Sequence, residues 1–234
     1  MDERFSRTVS LIGEKNLNKL KNSVVAVFGI GGVGSYAAAA LARSGVGCVY
    51  LYDNDTVGVT NINRQLVASQ STLGEKKVAV CEKMLKDINP DIKVFAFDTF
   101  VTPESEIPFD NFDFIIDAVD NVTAKLFIID GAKKHGKGII SVMGTGNKLY
   151  PERLRIDDIK KTESCPLCRV MRKELKVRGI ENVPVVWTDE IPIHALAEDT
   201  NKGGSHPPAS MVFVPACAGM LAASYVVRKI IDKE

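Results

Sequence analysis

The sequence predicts an α/β fold, Rossmann-like and doubly wound, with a mostly parallel sheet and an appended C-terminal crossover and strand–helix region. Three observations predict it. Apolar runs of strand length alternate with helical stretches as far as Gly146. The first run, VVAVF, feeds the glycine turn Gly29, Gly31, Gly32 and Gly34. The second, in YLYDND, ends on Asp53, 19 residues past Gly34. In such a fold the glycine turn lets a helix N-terminus approach a phosphate, and the strand-end carboxylate takes ribose hydroxyls.

The elements follow in order. A short helix is expected around 8–20. Strands are expected near 24–29, 48–53, 93–97, 113–117 and 138–143, with helices near 34–44, 75–88 and 123–135. Ligands in this architecture bind at the carboxyl ends of strands, so Asp53 and the Asp117–Asp120 stretch should share one rim. Residues 1–146 read as the nucleotide-binding core of a single unit spanning 1–234, and 147–234 as its substrate-side extension. Within that extension, 180–208 should hold a short strand and then a Pro/Gly-rich polar loop, mobile over about 195–208. MVFV before Pro215 reads as a strand, with a helix from about Ala216 onward.

Composition narrows the classes. The chain has 234 residues, 45% hydrophobic and 25% charged, as in an ordinary folded domain with no disordered tract. A net charge of +1 excludes a globally basic nucleic-acid binder, so RNA contact has to be a local patch and DNA is not an expected partner. MDERFSR lacks an apolar signal core, and the five cysteines are odd in number with no disulfide framework, so the cytoplasm is the expected compartment. Met211 to Val227 carries no charge over nearly a spanning length. Pro215 and Gly219 interrupt it, so burial explains it better than insertion; peripheral membrane attachment stays as the alternative.

The residues after Asp53 carry the chemistry. TNINRQ supplies Asn61, Arg64 and Gln65, and GEKK runs from Gly74 to Lys77. Dinucleotide folds hold a pyrophosphate mainly with backbone N–H groups and need no such cluster. A triphosphate, with roughly four negative charges, calls for Arg and Lys. The stretch therefore reads as an ATP site. Asn61 and Arg64, three apart, fall on one side of a short turn over the phosphates; Asp53 binds the ribose, and Asp55 and Gln65 belong to the nucleotide-binding set. Each would be an ordinary surface residue in isolation.

The glycine turn, DNDTV, TNINRQ, GEKK and DAVDN together resemble the ATP-binding core of the ubiquitin-activating-enzyme superfamily, which includes bacterial adenylyltransferases. RFSRTVSLIG, GTGNKLYP and DDIKKTESCPLCRVMRKELKVRGI resemble more narrowly its tRNA threonylcarbamoyladenosine dehydratase branch. The resemblance covers nearly the whole chain. It implies that Lys77 contacts phosphate, that Asp120 holds Mg²⁺ with ATP, and that Asn121 lies against the nucleotide. Asp117 could share the metal duty or simply cap a helix. In RFSR, the resemblance implies that Arg7 reaches into the ATP site of a second copy, which makes the active unit a homodimer. The catalytic set is then Arg7, Arg64, Lys77 and Asp120.

The cysteines and the remaining basic residues carry weaker signals. Related adenylyltransferases complete a zinc site with two CxxC pairs; here Cys165 and Cys168 have only Cys217 downstream, so structural zinc is not expected. His194 and His206 have no supporting spacing. Arg169, Arg172, Lys173 and Lys176 fall at i, i+3, i+4, i+7 on one helical face, with Leu167, Val170, Met171, Leu175 and Val177 expected on the other. Such a stripe is commonly a solvated face; it is also a candidate for RNA phosphates. The resemblance implies a substrate, threonylcarbamoyladenosine beside the tRNA anticodon, activated on its carboxylate by ATP and cyclised. The rivals are an adenylyltransferase for a ubiquitin-like sulfur carrier, and an NAD-dependent dehydrogenase or nucleotide-sensing scaffold. A sulfur-transfer partner and a bound monovalent cation stay open at this level.

Overall fold

The computed structural model describes residues 3–193 and 208–232. Seven strands form one sheet in the order β3-β2-β1-β4-β5-β7-β6. They are β1 Val24–Phe28, β2 Cys48–Tyr52, β3 Lys93–Phe97, β4 Phe114–Asp117, β5 Gly138–Val142, β6 Leu154–Asp158 and β7 Pro184–Thr188. Every pairing is parallel except that of β6 with β7. The helices are α1 Ser6–Ile12, α2 Glu14–Lys21, α3 Gly34–Ser44, α4 Lys77–Ile88, α5 Val122–Lys134, α6 Pro166–Val177 and α7 Phe213–Ile231. The chain steps outward from β1 through β2 to β3, then returns to place β4 on the other side of β1. That reversal opens a crevice at the carboxyl ends of β1 and β4.

Burial on both faces explains the apolar central strands. Val25 and Val27 of β1 pack into one core with α3, α4 and α7, while Ala26 and Phe28 pack into the other with α5 and α6. The alanine run of α3 allows a close approach to α7: a Cβ on Gly219 would stand 2.3 Å from Val33 O. α7 is long and apolar enough to cross a membrane, yet Val214, Ala218, Ala222, Val226 and Ile230 line its core-packed face.

Three expectations are corrected. The N-terminal helix is two helices, because Gly13 adopts φ 81, ψ 160 between them. MVFV is not a strand: α7 already begins at Phe213. Pro215 sits in its first turn, where the missing N–H has no intrahelical acceptor to lose. β6 was not anticipated: Leu154 and Ile156 alternate with Arg155 and Asp157 and pack against the core, but the strand is only five residues long. The helix expected near 75–88 is present as α4, starting at Lys77 after Gly74 turns with φ 81. The short strand expected after 180 is β7, whereas the expected mobile loop lies outside the described residues but for Pro208. Asn147 binds what flanks it, donating N–H to Ala209 O and accepting from Ile193 N, each at 2.7 Å.

Candidate active site

The glycine turn is fixed by its own contacts. Gly29 has φ 86, and a Cβ there would lie 2.7 Å from Ala118 O; at Gly34 it would lie 1.8 Å from Gly29 O. Gly31 differs, since the nearest atom to an added Cβ is Gln65 Nε2 at 3.9 Å. The room beside Gly31 belongs to a cavity of about 480 Å³ at the carboxyl ends of β1, β2 and β4. A side chain there would fill space that is now open to a ligand.

The cavity gathers the expected residues from separate elements. Gly29, Gly31 and Gly32, Asp53 and Asp55, Asn61, Arg64 and Gln65, Lys77, Asp120 and Asn121 all line it. Gly34 stands behind them as the first residue of α3. Two larger hollows, of about 610 and 790 Å³, lie at the opposite end of the sheet and between α5 and α6, and neither holds any of these residues.

Each side chain has a position set by neighbours. Asp53 Oδ2 accepts from Ile30 N at 2.6 Å and Oδ1 from Asp55 N at 2.8 Å, so the carboxylate anchors the glycine turn. Each oxygen keeps a further lone pair for a ribose hydroxyl. Lys77 is the first residue of α4 and is buried; its Nζ lies 2.6 Å from Asp55 Oδ2. Asn61 Oδ1 accepts from Gly58 N at 3.0 Å, closing the turn that carries Arg64. Arg64 Nη1 donates to Thr60 O at 2.7 Å and to Asn63 Oδ1 at 3.0 Å, which leaves other guanidinium N–H groups for an anion. Gln65 Oε1 and the Tyr52 hydroxyl are buried at this cavity without a partner among the described residues. Unpaired buried polar atoms are costly unless a ligand or water meets them.

Asp117 and Asp120 have separate fates. Asp117 is fully buried: Lys125 Nζ lies 3.0 Å from Oδ2, and Ser141 Oγ donates to the same oxygen at 2.5 Å. Lys125 also donates to Val142 O at 2.7 Å. Asp117 therefore belongs to the packing beneath the rim and holds no ligand, which corrects the expectation that it could share the metal duty. Asp120 is exposed on the cavity wall, and Asn121 beside it caps α5, accepting from Ala124 N at 3.0 Å. Among the described residues no three His, Cys, Asp or Glu cluster as a self-sufficient metal site. An open carboxylate such as that of Asp120 suits Mg²⁺ that arrives with phosphates, since that ion keeps several non-protein ligands.

Sequence reasoning missed Tyr52, Thr145 and Gly146, and the Pro208, Ser210 and Pro215 wall. The GTGNK run was the available signal for Thr145 and Gly146. Arg7 is exposed on α1 and does not line the cavity of its own chain.

The cationic stripe of α6 is shorter than expected. Arg172 turns inward and donates from Nη1 to Thr162 O at 2.6 Å and to its hydroxyl at 2.5 Å. Arg169, Lys173 and Lys176 remain exposed. Val170 and Val177 do not belong to the packed side: they are 44% and 75% exposed, while Cys168, Met171 and Leu175 form the buried face. Helical geometry puts positions 170 and 177 opposite 168 and 175.

Comparison with known proteins decides the lineage. The ThiF family model matches residues 5–234. The chain belongs to the ThiF family. Within that family it is 41% identical to tRNA threonylcarbamoyladenosine dehydratase of Bacillus subtilis, over 99% of this chain and 96% of the relative. The dehydratase of Escherichia coli is 32% identical, over 99% and 94% respectively. A crystal structure of the Escherichia coli dehydratase in complex with ATP superposes with a TM-score of 0.87 at 31% identity, covering 98% of this chain and 94% of that one. This ThiF-family chain thus carries its Rossmann-like crevice on the same scaffold as an ATP-bound relative.

Proposed function

We propose that the protein is an ATP-dependent tRNA threonylcarbamoyladenosine dehydratase, which activates the carboxylate of that modified base and cyclises it. The observation that carries the reading is the convergence of Asp53, Arg64, Lys77 and Asp120 on the one cavity at the sheet's switch point. Identity of 41% with a dehydratase over nearly the full length of both chains supports the substrate.

The residues divide the work. Asp53 holds the ribose, and the open side of Gly31 admits the phosphates. A carboxylate oxygen of the substrate attacks the α-phosphorus; the bond to pyrophosphate breaks, leaving an acyl-adenylate. Arg64 and Lys77 stabilise the charge that develops on the phosphoryl oxygens, and Arg7 of a second copy is assigned to join them in a homodimer. Mg²⁺ bound at Asp120 would neutralise phosphate charge. The carbamoyl group of the same base then closes on the activated carbonyl and AMP leaves with the original carboxylate oxygen. An intramolecular nucleophile held in line has an effective molarity on the order of 10⁵ M or more, so no cysteine relay is required. Lys173, Lys176 and Arg169 are assigned to phosphates of the tRNA. The free thiols of the described cysteines fit a cytoplasmic enzyme.

Incubation with ATP, Mg²⁺ and tRNA bearing the linear modification, followed by nucleoside mass spectrometry, tests this reading. The cyclic form should appear only with ATP. A sulfur-carrier adenylyltransferase is the second reading, favoured by 34% identity to an adenylyltransferase and sulfurtransferase of Culex quinquefasciatus, which matches only 59% of this chain. Pyrophosphate exchange that depends on a sulfur carrier and ignores tRNA would favour it.

A further inference from the structure

The start of α6 holds a pair of thiols that the proposed chemistry leaves unused. Cys165 is the N-cap residue and Cys168 lies in the first turn. Both are buried, 5% and 0% exposed, and three positions apart they stand one helical turn from each other. The two thiols therefore share one face of the helix start, inside one buried cluster closed to bulk water. Gly144 backs them, since a Cβ built on it would stand 3.7 Å from Cys165 Sγ.

The surroundings make the pair unequal. The hydrogen bond from Cys168 holds the Cys165 thiol well below its ordinary range, and the Lys148 ammonium helps. Lys148 is 4% exposed and donates to Gly144 O at 2.7 Å, with no ion pair among the described residues. Among the described residues no carboxylate pairs with it, which favours an anion on the nearby sulfur. Cys168 is pushed the other way by the hydrogen bond it shares with Cys165 and by burial. A thiolate beside a protonated thiol is the arrangement of an attacking and a resolving cysteine. The remaining buried thiols differ. Burial raises Cys48, and it pushes Cys81 up to about 12.

We propose that Cys165 and Cys168 are a peroxide-sensitive dithiol that closes to a reversible intramolecular disulfide. The Cys165 thiolate attacks one oxygen of hydrogen peroxide, the O–O bond breaks, and hydroxide leaves a sulfenic acid on Cys165. Cys168 loses its proton and attacks that sulfur, and water departs as the S–S bond forms. Two electrons pass from the thiols to the peroxide. A low-molecular-weight dithiol reverses the bond by exchange. The 5% exposure of Cys165 selects a small oxidant over a bulky disulfide. The loop behind the pair runs from Gly144 through Thr145 and Gly146, which line the nucleotide cavity, so the couple adjoins the site without belonging to it.

The test uses the full chain carrying Cys217→Ser, which removes the exposed thiol on α7. The native protein is exposed to hydrogen peroxide, quenched in acid, alkylated under denaturation and digested for mass spectrometry. The expected product is one peptide with Cys165 and Cys168 linked, formed at least about tenfold faster than oxidation of Cys48 or Cys81. Dithiothreitol should restore both thiols. With Cys168→Ser added, oxidation should stop on Cys165 as sulfenic or sulfinic acid. Oxidation of all four thiols at one rate, a bond from Cys165 to any cysteine but Cys168, or full alkylation after peroxide would each overturn the proposal.

Discussion

Lys77 Nζ lies 2.6 Å from Asp55 Oδ2, and the side chains are 5% and 61% exposed. A cation in the first turn of a helix stands at the wrong end of the helix dipole, and burying it adds a desolvation cost. Asp55 offsets both while remaining open to the cavity. In the proposed site the pair would hold Lys77 in place before nucleotide arrives, sparing the ordering of a long side chain at binding.

Lys77→Ala should lower kcat by about 10²–10³ or more, since a lost positioned charge at a reacting phosphoryl group costs about 3–4 kcal/mol. The fold should persist, because Asp55 is solvated enough to stand alone. Steady-state cyclisation with a far-ultraviolet circular dichroism control measures it; near-normal turnover would mean that Lys77 does not meet the phosphates.

Asp120 and Asp117, three positions apart, should respond differently. Asp120→Asn should raise the Mg²⁺ concentration needed for half-maximal activity and leave stability within about 0.5 kcal/mol, as for an exposed site. Asp117→Asn should leave Lys125 buried without its counter-ion and cost about 3–5 kcal/mol. Urea midpoints for both variants and a Mg²⁺ titration of the first distinguish them. Equal loss of stability in the two would refute the separation of roles.

On α6, Lys173→Glu with Lys176→Glu should weaken tRNA binding and lower the log–log salt slope by about one unit for each phosphate no longer neutralised. Arg172→Ala should act on stability instead, because its guanidinium satisfies Thr162. If affinity and salt slope both hold in the double variant, the exposed lysines are a solvated face.

Gly31→Ala and Gly34→Ala also part company. Alanine at 34 collides with Gly29 O and should prevent correct folding of the turn. At 31 it meets only Gln65 Nε2 at 3.9 Å, so the protein should fold and bind ATP more weakly. Thermal melts with and without ATP measure this; a Gly31→Ala protein with full ATP stabilisation would remove Gly31 from the phosphate site.

The nucleotide core was legible because local signals coincide there: the VVAVF run, the glycines that the close approaches at Gly29 and Gly34 require, and the strand-end Asp53. Residues acting through tertiary contact were not legible. The inward turn of Arg172 depends on where the Thr162 carbonyl lies, and the core position of Asp117 depends on Lys125 one helix away. β6 escaped because its alternation of Leu154 and Ile156 with Arg155 and Asp157 covers only five residues, too short a run to stand out. Pro215 misled because a proline in a first helical turn reads like a strand end until the helix start is known.

The most direct test of the account is single-turnover reaction of purified protein with ATP labelled in the α-phosphate and tRNA carrying threonylcarbamoyladenosine. The account predicts one AMP and one pyrophosphate for each cyclic nucleoside formed, at a rate about 10²-fold or more lower in Lys77→Ala. Release of ADP and inorganic phosphate, or cyclisation without nucleotide consumption, would contradict it.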